Sequence, residues 1–262
     1  MQPQPLTLAL LQTDILWEDI SGNLSRLRPT VEALAGRADI VVLPEMFTTG
    51  FSMDAIRHAE PVDGPTLCAL RRWATETGLA FCGSFICRDA DGRHVNRAFF
   101  VTPESEAFFY DKRHLFRLGD EQRHFHPGSE RRIVGYKGWR ISLMICYDLR
   151  FPVWCRNRHN DYDLQIFVAN WPASRQMVWQ TLLRARALEN CAYVAGVNRI
   201  GIDGMGLTYR GGTQAIDMKG KTLAEATDGD EAIVIATLDH EALTAFRAKF
   251  PVWMDADEFS IE

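Results

Sequence analysis

Short apolar runs of strand length recur along the 262-residue chain, and segments with helical spacing of apolar residues separate many of them. A run of four to eight apolar residues bounded by turn residues predicts a buried strand. Such runs predict strands at 6–11, 39–43, 79–87, 94–101, 107–110, 140–145, 164–169, 192–198, 213–217 and 232–238. Apolar residues three and four positions apart predict helices at 23–34, 66–77, 153–158, 174–191 and 241–249. The alternation predicts an α/β protein in which helices cover sheets, and it leaves the number of sheets open.

Three of the predicted strands run into residue types that enzymes use for chemistry. Glu45, Lys112 and Cys146 each closely follow a different strand at its carboxyl end. Because ligands bind at that edge of open α/β sheets, the sequence predicts a carboxylate, an ammonium and a thiol in one cleft. Each residue alone also has an ordinary explanation: a helix N-terminal carboxylate, a solvated turn lysine and a small buried hydrophobe.

The turn that follows the third of these strands favours a nucleophile. Cys146 ends an apolar run, and Pro152 opens the next predicted helix, where proline suits the first position. Backbone N–H groups at such a strand-to-helix turn stabilise a thiolate. The sequence therefore leaves two interpretations of Cys146, a reactive thiol and an inert buried one.

Three segments around these residues resemble the signature segments of the nitrilase superfamily of carbon–nitrogen hydrolases. They are LPEMF at 43–47, YDKRHLF at 110–116 and ICYDLRFP at 145–152, and the segments 184–190 and 197–199 also match the superfamily pattern. The resemblance extends from Leu8 to Leu238, and its details are most similar to bacterial omega-amidases. It implies a four-layer α-β-β-α sandwich in a single domain over residues 1–262, and a homodimer.

The resemblance also implies how these residues would hydrolyse an amide. Cys146 would attack the carbonyl carbon and form a thioester, while Glu45 would take the thiol proton and pass it to the leaving ammonia. Glu45 would then activate water for thioester hydrolysis. Lys112 and the backbone N–H of Tyr147 would stabilise the oxyanion.

A second carboxylate is expected beside the lysine. Glu121 is the candidate for orienting Lys112 and the substrate, and Asp120 is the alternative; a solvated acidic turn is the ordinary explanation of both. Two carboxylates would keep Lys112 protonated, and we expect its ammonium to favour the Cys146 thiolate.

Aromatic and cationic residues suggest the rest of the pocket. Phe47, Phe51 and Trp171 would line it, although ordinary core or loop packing is favoured for any one of them taken singly. Arg175, at the start of a predicted helix, would clamp a substrate carboxylate unless it is a solvated helix-end cation. The resulting hypothesis is an amidohydrolase that cleaves the terminal amide of small 2-oxo dicarboxylic acid monoamides such as 2-oxoglutaramate. The alternative is an N-carbamoyl amino acid amidohydrolase, or another aliphatic amidase or nitrilase, that uses the same triad.

Composition and charge argue against several classes of binding partner. A net charge of −5 without a basic block argues against a nucleic-acid partner, and no stretch of sequence approaches a membrane span. The six cysteines lack disulfide-framework or zinc spacing, and the histidines at 114, 124 and 126 lack a metal-binding pattern. We therefore predict a cytoplasmic enzyme that acts on a small-molecule amide without a metal or cofactor.

Overall fold

The computed structural model describes residues 3–261 and contains two six-stranded sheets. The strands are β1 Leu6–Gln12, β2 Ile40–Val42, β3 Ala80–Arg88, β4 His94–Val101, β5 Ala107–Asp111, β6 Ile133–Tyr136, β7 Trp139–Ile145, β8 Leu164–Ala169, β9 Tyr193–Asn198, β10 Ile200–Ile202, β11 Thr208–Arg210, β12 Gln214–Ile216, β13 Thr222–Glu225 and β14 Ala232–Leu238. The helices are α1 Ile20–Ala33, α2 Ala55–His58, α3 Pro65–Thr77, α4 Pro152–Cys155, α5 Gln176–Asn190 and α6 His240–Lys249. None of the helices within this described range is long and apolar enough to cross a membrane.

The two sheets have related layouts. The first has the order β14-β1-β2-β3-β4-β5, and the second has the order β13-β12-β9-β8-β7-β6. In each sheet a central group of parallel strands, β1-β2-β3 or β7-β8-β9, is flanked by antiparallel strands. Strands β10 and β11 form a separate hairpin. Parallel strands align their carboxyl ends, so each sheet has one edge at which reactive side chains from several strands can lie close together.

Side-chain alternation along the strands sorts the core into layers. In β1, Leu8 and Leu10 belong to a cluster shared with strands of the second sheet, whereas Ala9 and Leu11 pack with residues of α1 and α3. Because successive side chains point to opposite faces, a strand buried on both faces is apolar over consecutive residues, as residues 8–11 of β1 are. With α5 packed against β9 and β12 of the second sheet, the layers are α-β-β-α, which confirms the predicted sandwich.

The deviations from the sequence prediction concern short elements. Of the helix predicted at 153–158, the structure forms only the single-turn helix α4, and the 3-10 turn Cys146–Arg150 precedes it. The sequence analysis missed α2, β10, β11 and β13, which have only three or four residues and therefore show too little periodicity to detect. Between β5 and β7 the chain forms two 3-10 turns, Arg117–Gly119 and Glu121–Arg123, and the short strand β6.

A buried carboxylate fastens the last helix to the second sheet. Asp163, just before β8, accepts hydrogen bonds from Arg140 Nη2 at 2.7 Å and Arg247 Nη1 at 2.9 Å, and Arg247 also donates to the Cys191 and Tyr162 carbonyls. The side chain of Asp163 is buried, and although desolvation acts to raise its pKa, the bonds from Arg140 outweigh it and lower the pKa. These ion pairs and hydrogen bonds of Asp163 lie at the amino end of β8.

We expect Asp163→Asn to lower the free energy of unfolding at neutral pH by about 3 kcal/mol, because it leaves a buried guanidinium without its counter-charge. Since the folded-state pKa of Asp163 is depressed, its contribution is present above the unfolded pKa and is lost as the pH falls through the folded one. Urea unfolding of wild type and variant should therefore converge only in strongly acidic solution. A difference that is independent of pH would contradict this electrostatic account.

Candidate active site

The carboxyl ends of three strands bring the predicted groups together across the two sheets. Glu45 follows β2 and Lys112 follows β5 in the first sheet, while Cys146 follows β7 in the second. Lys112 Nζ lies 2.8 Å from Glu45 Oε1 and 3.0 Å from both carboxylate oxygens of Glu121. The side chains of these three charged residues are completely buried. Cys146 and Lys112 both line one cavity of about 510 Å³.

The Glu45 carboxylate is held from both sheets. Asn96, on β4, donates from Nδ2 to Oε1 at 2.8 Å, and the backbone N–H of Asn170, which follows β8, donates to Oε2 at 2.8 Å. Asn170 Nδ2 also donates to the Glu45 carbonyl at 2.6 Å. Both carboxylate oxygens are thus occupied by donors, and the side chain has little freedom to rotate away from the thiol.

Of the two acidic candidates, Glu121 is the one that contacts Lys112, and Asp120 is not. Glu121 accepts from the backbone N–H of Phe116 at 2.6 Å in addition to Lys112. Asp120 is exposed and pairs with Arg123 on the surface. Asp120 has a φ of 57°, which turns the chain so that the following side chain points inward.

Burial and charge set the protonation of the cluster. Desolvation acts to lower the pKa of Lys112, but Glu121 and Glu45 outweigh it and raise that pKa, so the amine stays an ammonium as predicted. Burial raises the pKa of Glu121, and the Lys112 ammonium opposes that shift.

Lys112 favours the Cys146 thiolate, as predicted, but the other influences on the thiol outweigh it. Burial raises the pKa of the Cys146 thiol well above its usual range, and the Glu45 carboxylate raises it further. Lys112 lowers this pKa, but one ammonium does not outweigh burial together with two carboxylates. The raised pKa favours a neutral Cys146 thiol in the resting site.

The backbone of Cys146 is in the left-handed region, with a φ of 43°. This conformation costs roughly 1–2 kcal/mol for a residue with a side chain, and such strain is concentrated at functional sites. Cys146 begins the 3-10 turn, so the N–H of Tyr147 lies in its first turn, where N–H groups lack partners within the helix. The turn thus presents a thiol and backbone donors to the cavity together.

Most of the predicted pocket residues line the cavity. Phe51, Tyr147, Trp171 and Arg175 all do so, and the Phe51 ring lies 5.1 Å from Lys112 Nζ. Phe47 does not, and its assignment to the substrate was wrong. It is 1% exposed and packs edge-on against Phe99 at 5.8 Å, in the core between the first sheet and its covering helices.

Two guanidinium groups stack on aromatic rings of the cavity wall. Arg150 lies 5.3 Å from the Trp171 ring centroid, and Arg175 lies 5.3 Å from that of Phe116. Within residues 3–261, neither guanidinium forms an ion pair with a carboxylate, although both line the cavity. An aromatic platform holds the planar guanidinium and leaves its edge N–H donors available to an anionic ligand.

The sequence analysis overlooked several residues of the site. Asn170 follows β8 just as Cys146 follows β7, so the strand-end rule applied to 164–169 would have found it. Tyr209 and Asp203 line the outer wall, where the Tyr209 hydroxyl donates to Asp203 at 2.8 Å. Asn96 lies within a strand, where no local pattern distinguishes it.

The histidine-rich loop does not form a metal centre. His114 Nδ1 lies 2.8 Å from Asp148 and its ring stacks on Phe151, while His124 and His126 are exposed. No cluster of three or more potential metal ligands occurs among residues 3–261.

Comparisons with known proteins place this arrangement among carbon–nitrogen hydrolases. The family model described as carbon-nitrogen hydrolase matches residues 7–248. The chain is 46% identical to omega-amidase YafV of Yersinia enterocolitica, over 97% of this chain and 98% of that protein. It is 31% identical to the 2-oxoglutaramate amidase of Bacillus subtilis, over 95% and 96% of the two chains.

A solved structure agrees with these matches. A CN-hydrolase superfamily protein from Xanthomonas campestris, which carries an arsenic adduct in its active site, superimposes with a TM-score of 0.96 at 45% identity over 99% of this chain and 100% of that one. The single domain over 1–262 stays a prediction, and its residues 1, 2 and 262 lie outside the described part of the chain.

We expect Glu45→Gln to lower the pKa of Cys146. After burial, the Glu45 charge is the strongest influence that raises this pKa, and its removal leaves the Lys112 ammonium to favour the thiolate. The pH dependence of iodoacetamide alkylation, followed on the Cys146 peptide by mass spectrometry, should shift to lower pH. The exposed Glu32 of α1 offers a matched control, since Glu32→Gln should leave the profile in place. An unchanged profile in Glu45→Gln would refute the electrostatic coupling.

Proposed function

The chain belongs to the carbon-nitrogen hydrolase family, and we propose that it is an omega-amidase that converts 2-oxo dicarboxylic acid monoamides, such as 2-oxoglutaramate, to the acid and ammonia. Membership makes it a hydrolase of carbon–nitrogen bonds other than peptide bonds. The observation that carries the substrate proposal is the pair of guanidiniums, Arg150 and Arg175, in the same cavity as Cys146. The names of the relatives at 46% and 31% identity support it.

The proposed reaction begins with a neutral thiol. Cys146 Sγ attacks the amide carbon while Glu45 takes the thiol proton, so that the thiolate forms only as it reacts. The carbonyl oxygen becomes an oxyanion, which Lys112 Nζ and the Tyr147 N–H stabilise. When the tetrahedral intermediate collapses, Glu45 gives its proton to the nitrogen and ammonia leaves. The thioester remains on Cys146.

The second half of the reaction uses the same groups. Glu45 takes a proton from water, the resulting hydroxide attacks the thioester carbon, and the same two donors stabilise the new oxyanion. Collapse breaks the carbon–sulfur bond, releases the acid and restores the thiol with the proton that Glu45 holds. A fully buried ammonium suits the oxyanion role because charge interactions strengthen where water is excluded.

The distal end of the substrate is proposed to meet the guanidiniums. A carboxylate accepts two parallel N–H bonds from one guanidinium, which orients the substrate as well as binding it. N-carbamoyl amino acids also carry a carboxylate, so they are the main competing substrates. Rates with 2-oxoglutaramate, 2-oxosuccinamate, N-carbamoyl amino acids and simple nitriles test the choice, and preference for a carbamoyl or nitrile substrate would overturn the omega-amidase assignment.

The proposal includes a cytoplasmic homodimer. The resemblance to the nitrilase superfamily supports it, and sedimentation of the purified protein measures the oligomeric state directly.

Cys146→Ala should fold normally and hydrolyse no amide, because the change removes a single heavy atom, the sulfur, and that sulfur is the atom that forms the acyl bond. In wild type, mass spectrometry with a slowly turned-over amide should detect an acyl adduct on the Cys146 peptide. Residual turnover by the variant, or an adduct on another cysteine, would disprove the nucleophile assignment.

Arg175→Ala should raise KM for 2-oxoglutaramate about tenfold to a hundredfold, since a charge-assisted pair is worth about 1.5–3 kcal/mol. The KM for a neutral amide should change far less. Arg72, exposed on α3 and away from the cavity, provides the control, and Arg72→Ala should alter neither KM. Equal effects of Arg175→Ala on charged and neutral amides would assign the carboxylate elsewhere.

A further inference from the structure

The carboxylate of Asp148 joins the segment that carries Lys112 to the turn that carries Cys146. We propose that Asp148 is a positioning residue, which fixes the Lys112 ammonium beside the Cys146 thiol across the boundary between the two sheets. The inference rests on the proposed roles of Lys112 and Cys146 but adds a residue that contacts neither the thiol nor the ammonium.

On the lysine side, Asp148 binds the residues that flank Lys112. The Tyr110 hydroxyl, at the end of β5, donates to Oδ2 at 2.7 Å. The backbone N–H of His114 donates to Oδ1 at 3.0 Å, and its ring Nδ1 lies 2.8 Å from the same oxygen. Tyr110 and His114 stand two residues before and after Lys112, so Asp148 grips the chain on both sides of the ammonium-bearing residue.

On the cysteine side, Asp148 fixes its own turn. It belongs to the 3-10 turn that begins at Cys146, and its Oδ2 accepts from the backbone N–H of Ile145 at 3.1 Å. The side chain is completely buried, and each oxygen receives two donors. Only an ionised carboxylate offers lone pairs to four donors without presenting a proton to any of them. An asparagine would place an NH2 group against two of these donors.

The connection continues through Tyr110 into α4. The Tyr110 oxygen accepts from Trp154 Nε1 at 3.0 Å and from the backbone N–H of Arg113 at 3.2 Å. Burial and the adjacent Asp148 charge raise the pKa of Tyr110 well above its usual range, so the hydroxyl keeps the proton that it donates. The hydroxyl thus links β5, the loop after Lys112 and the helix that follows the nucleophile turn.

A dedicated connection is required because the two residues belong to different sheets. The Lys112 backbone is bonded to Asn96 of the neighbouring strand β4 at 3.0 Å, which fixes it within the first sheet. Facing sheets are held together by apolar side chains, and that attraction has no direction. The Glu45–Asn170 hydrogen bonds join the two sheets on one side of the site, and the hydrogen bonds of Asp148 join them on the other side. A displacement of about 1 Å in such a site can cost about a hundredfold in rate.

The test compares two variants of the connection with a matched control. Asp148→Asn should lower kcat about a hundredfold with little change in KM, and Tyr110→Phe, which alters no charge, should lower kcat about tenfold. Asp163→Asn also replaces a buried, multiply bonded aspartate but lies at the amino end of β8, so it should lose stability and retain kcat.

A second readout does not depend on any substrate. The charged groups that face Cys146 are Glu45, Lys112 and Glu121, and Lys112 is the one that lowers the thiol pKa. If Tyr110→Phe lets Lys112 move away, alkylation of Cys146 should shift to higher pH. An unchanged alkylation profile in Tyr110→Phe, or a kcat loss in both variants no greater than in Asp163→Asn, would overturn the proposal. Failure of the omega-amidase assignment would instead appear in wild-type turnover and leave the alkylation profiles as expected.

Discussion

The buried contact between the Lys112 ammonium and two carboxylates is the interaction on which the site depends. Removing three charges from water costs several kcal/mol for each ion, and mutual attraction offsets this only when the remaining hydrogen-bond positions are filled. Asn96, Asn170 and the Phe116 N–H fill them. The cluster of two carboxylates and one ammonium has an excess of one negative charge, so a third anion at Cys146 is disfavoured. The neutral resting thiol follows directly from this arrangement.

The architecture explains why such a cluster forms between two sheets. Each sheet aligns the carboxyl ends of its parallel strands, and the face-to-face packing brings these edges together. Glu45 and Lys112 come from one edge, and Cys146 and Asn170 come from the other. A site built from two sheets needs hydrogen bonds between them, because apolar packing alone does not fix the position of one sheet relative to the other. The hydrogen bonds of Asn170 and Asp148 are ties of this kind, one on each side of the thiol.

Local sequence patterns predicted the features that depend on residues close together in the chain, which are the long strands and helices and the polar residues at strand ends. Strand runs and helical spacing located the long elements, and the polar residues at strand ends located Glu45, Lys112 and Cys146. The resemblance to a superfamily supplied the number of layers, which periodicity left open. Phe47 was misplaced because a pattern does not reveal which face of a turn meets the cavity. The net direction of the Cys146 pKa shift was not predictable from local patterns, since it depends on burial and on carboxylates that are distant in sequence.

A neutral, buried thiol also determines how the protein withstands oxidants. Peroxide and electrophiles attack the thiolate, and a cysteine that keeps its proton is a poor target for both. In the proposed reaction Glu45 removes that proton only as a bound carbonyl is attacked, so reactivity would be confined to turnover. Oxidative inactivation should then depend more on whether substrate occupies the site than on how long the protein is exposed to the oxidant. The carboxylate that activates the thiol during turnover would thus also protect it between turnovers.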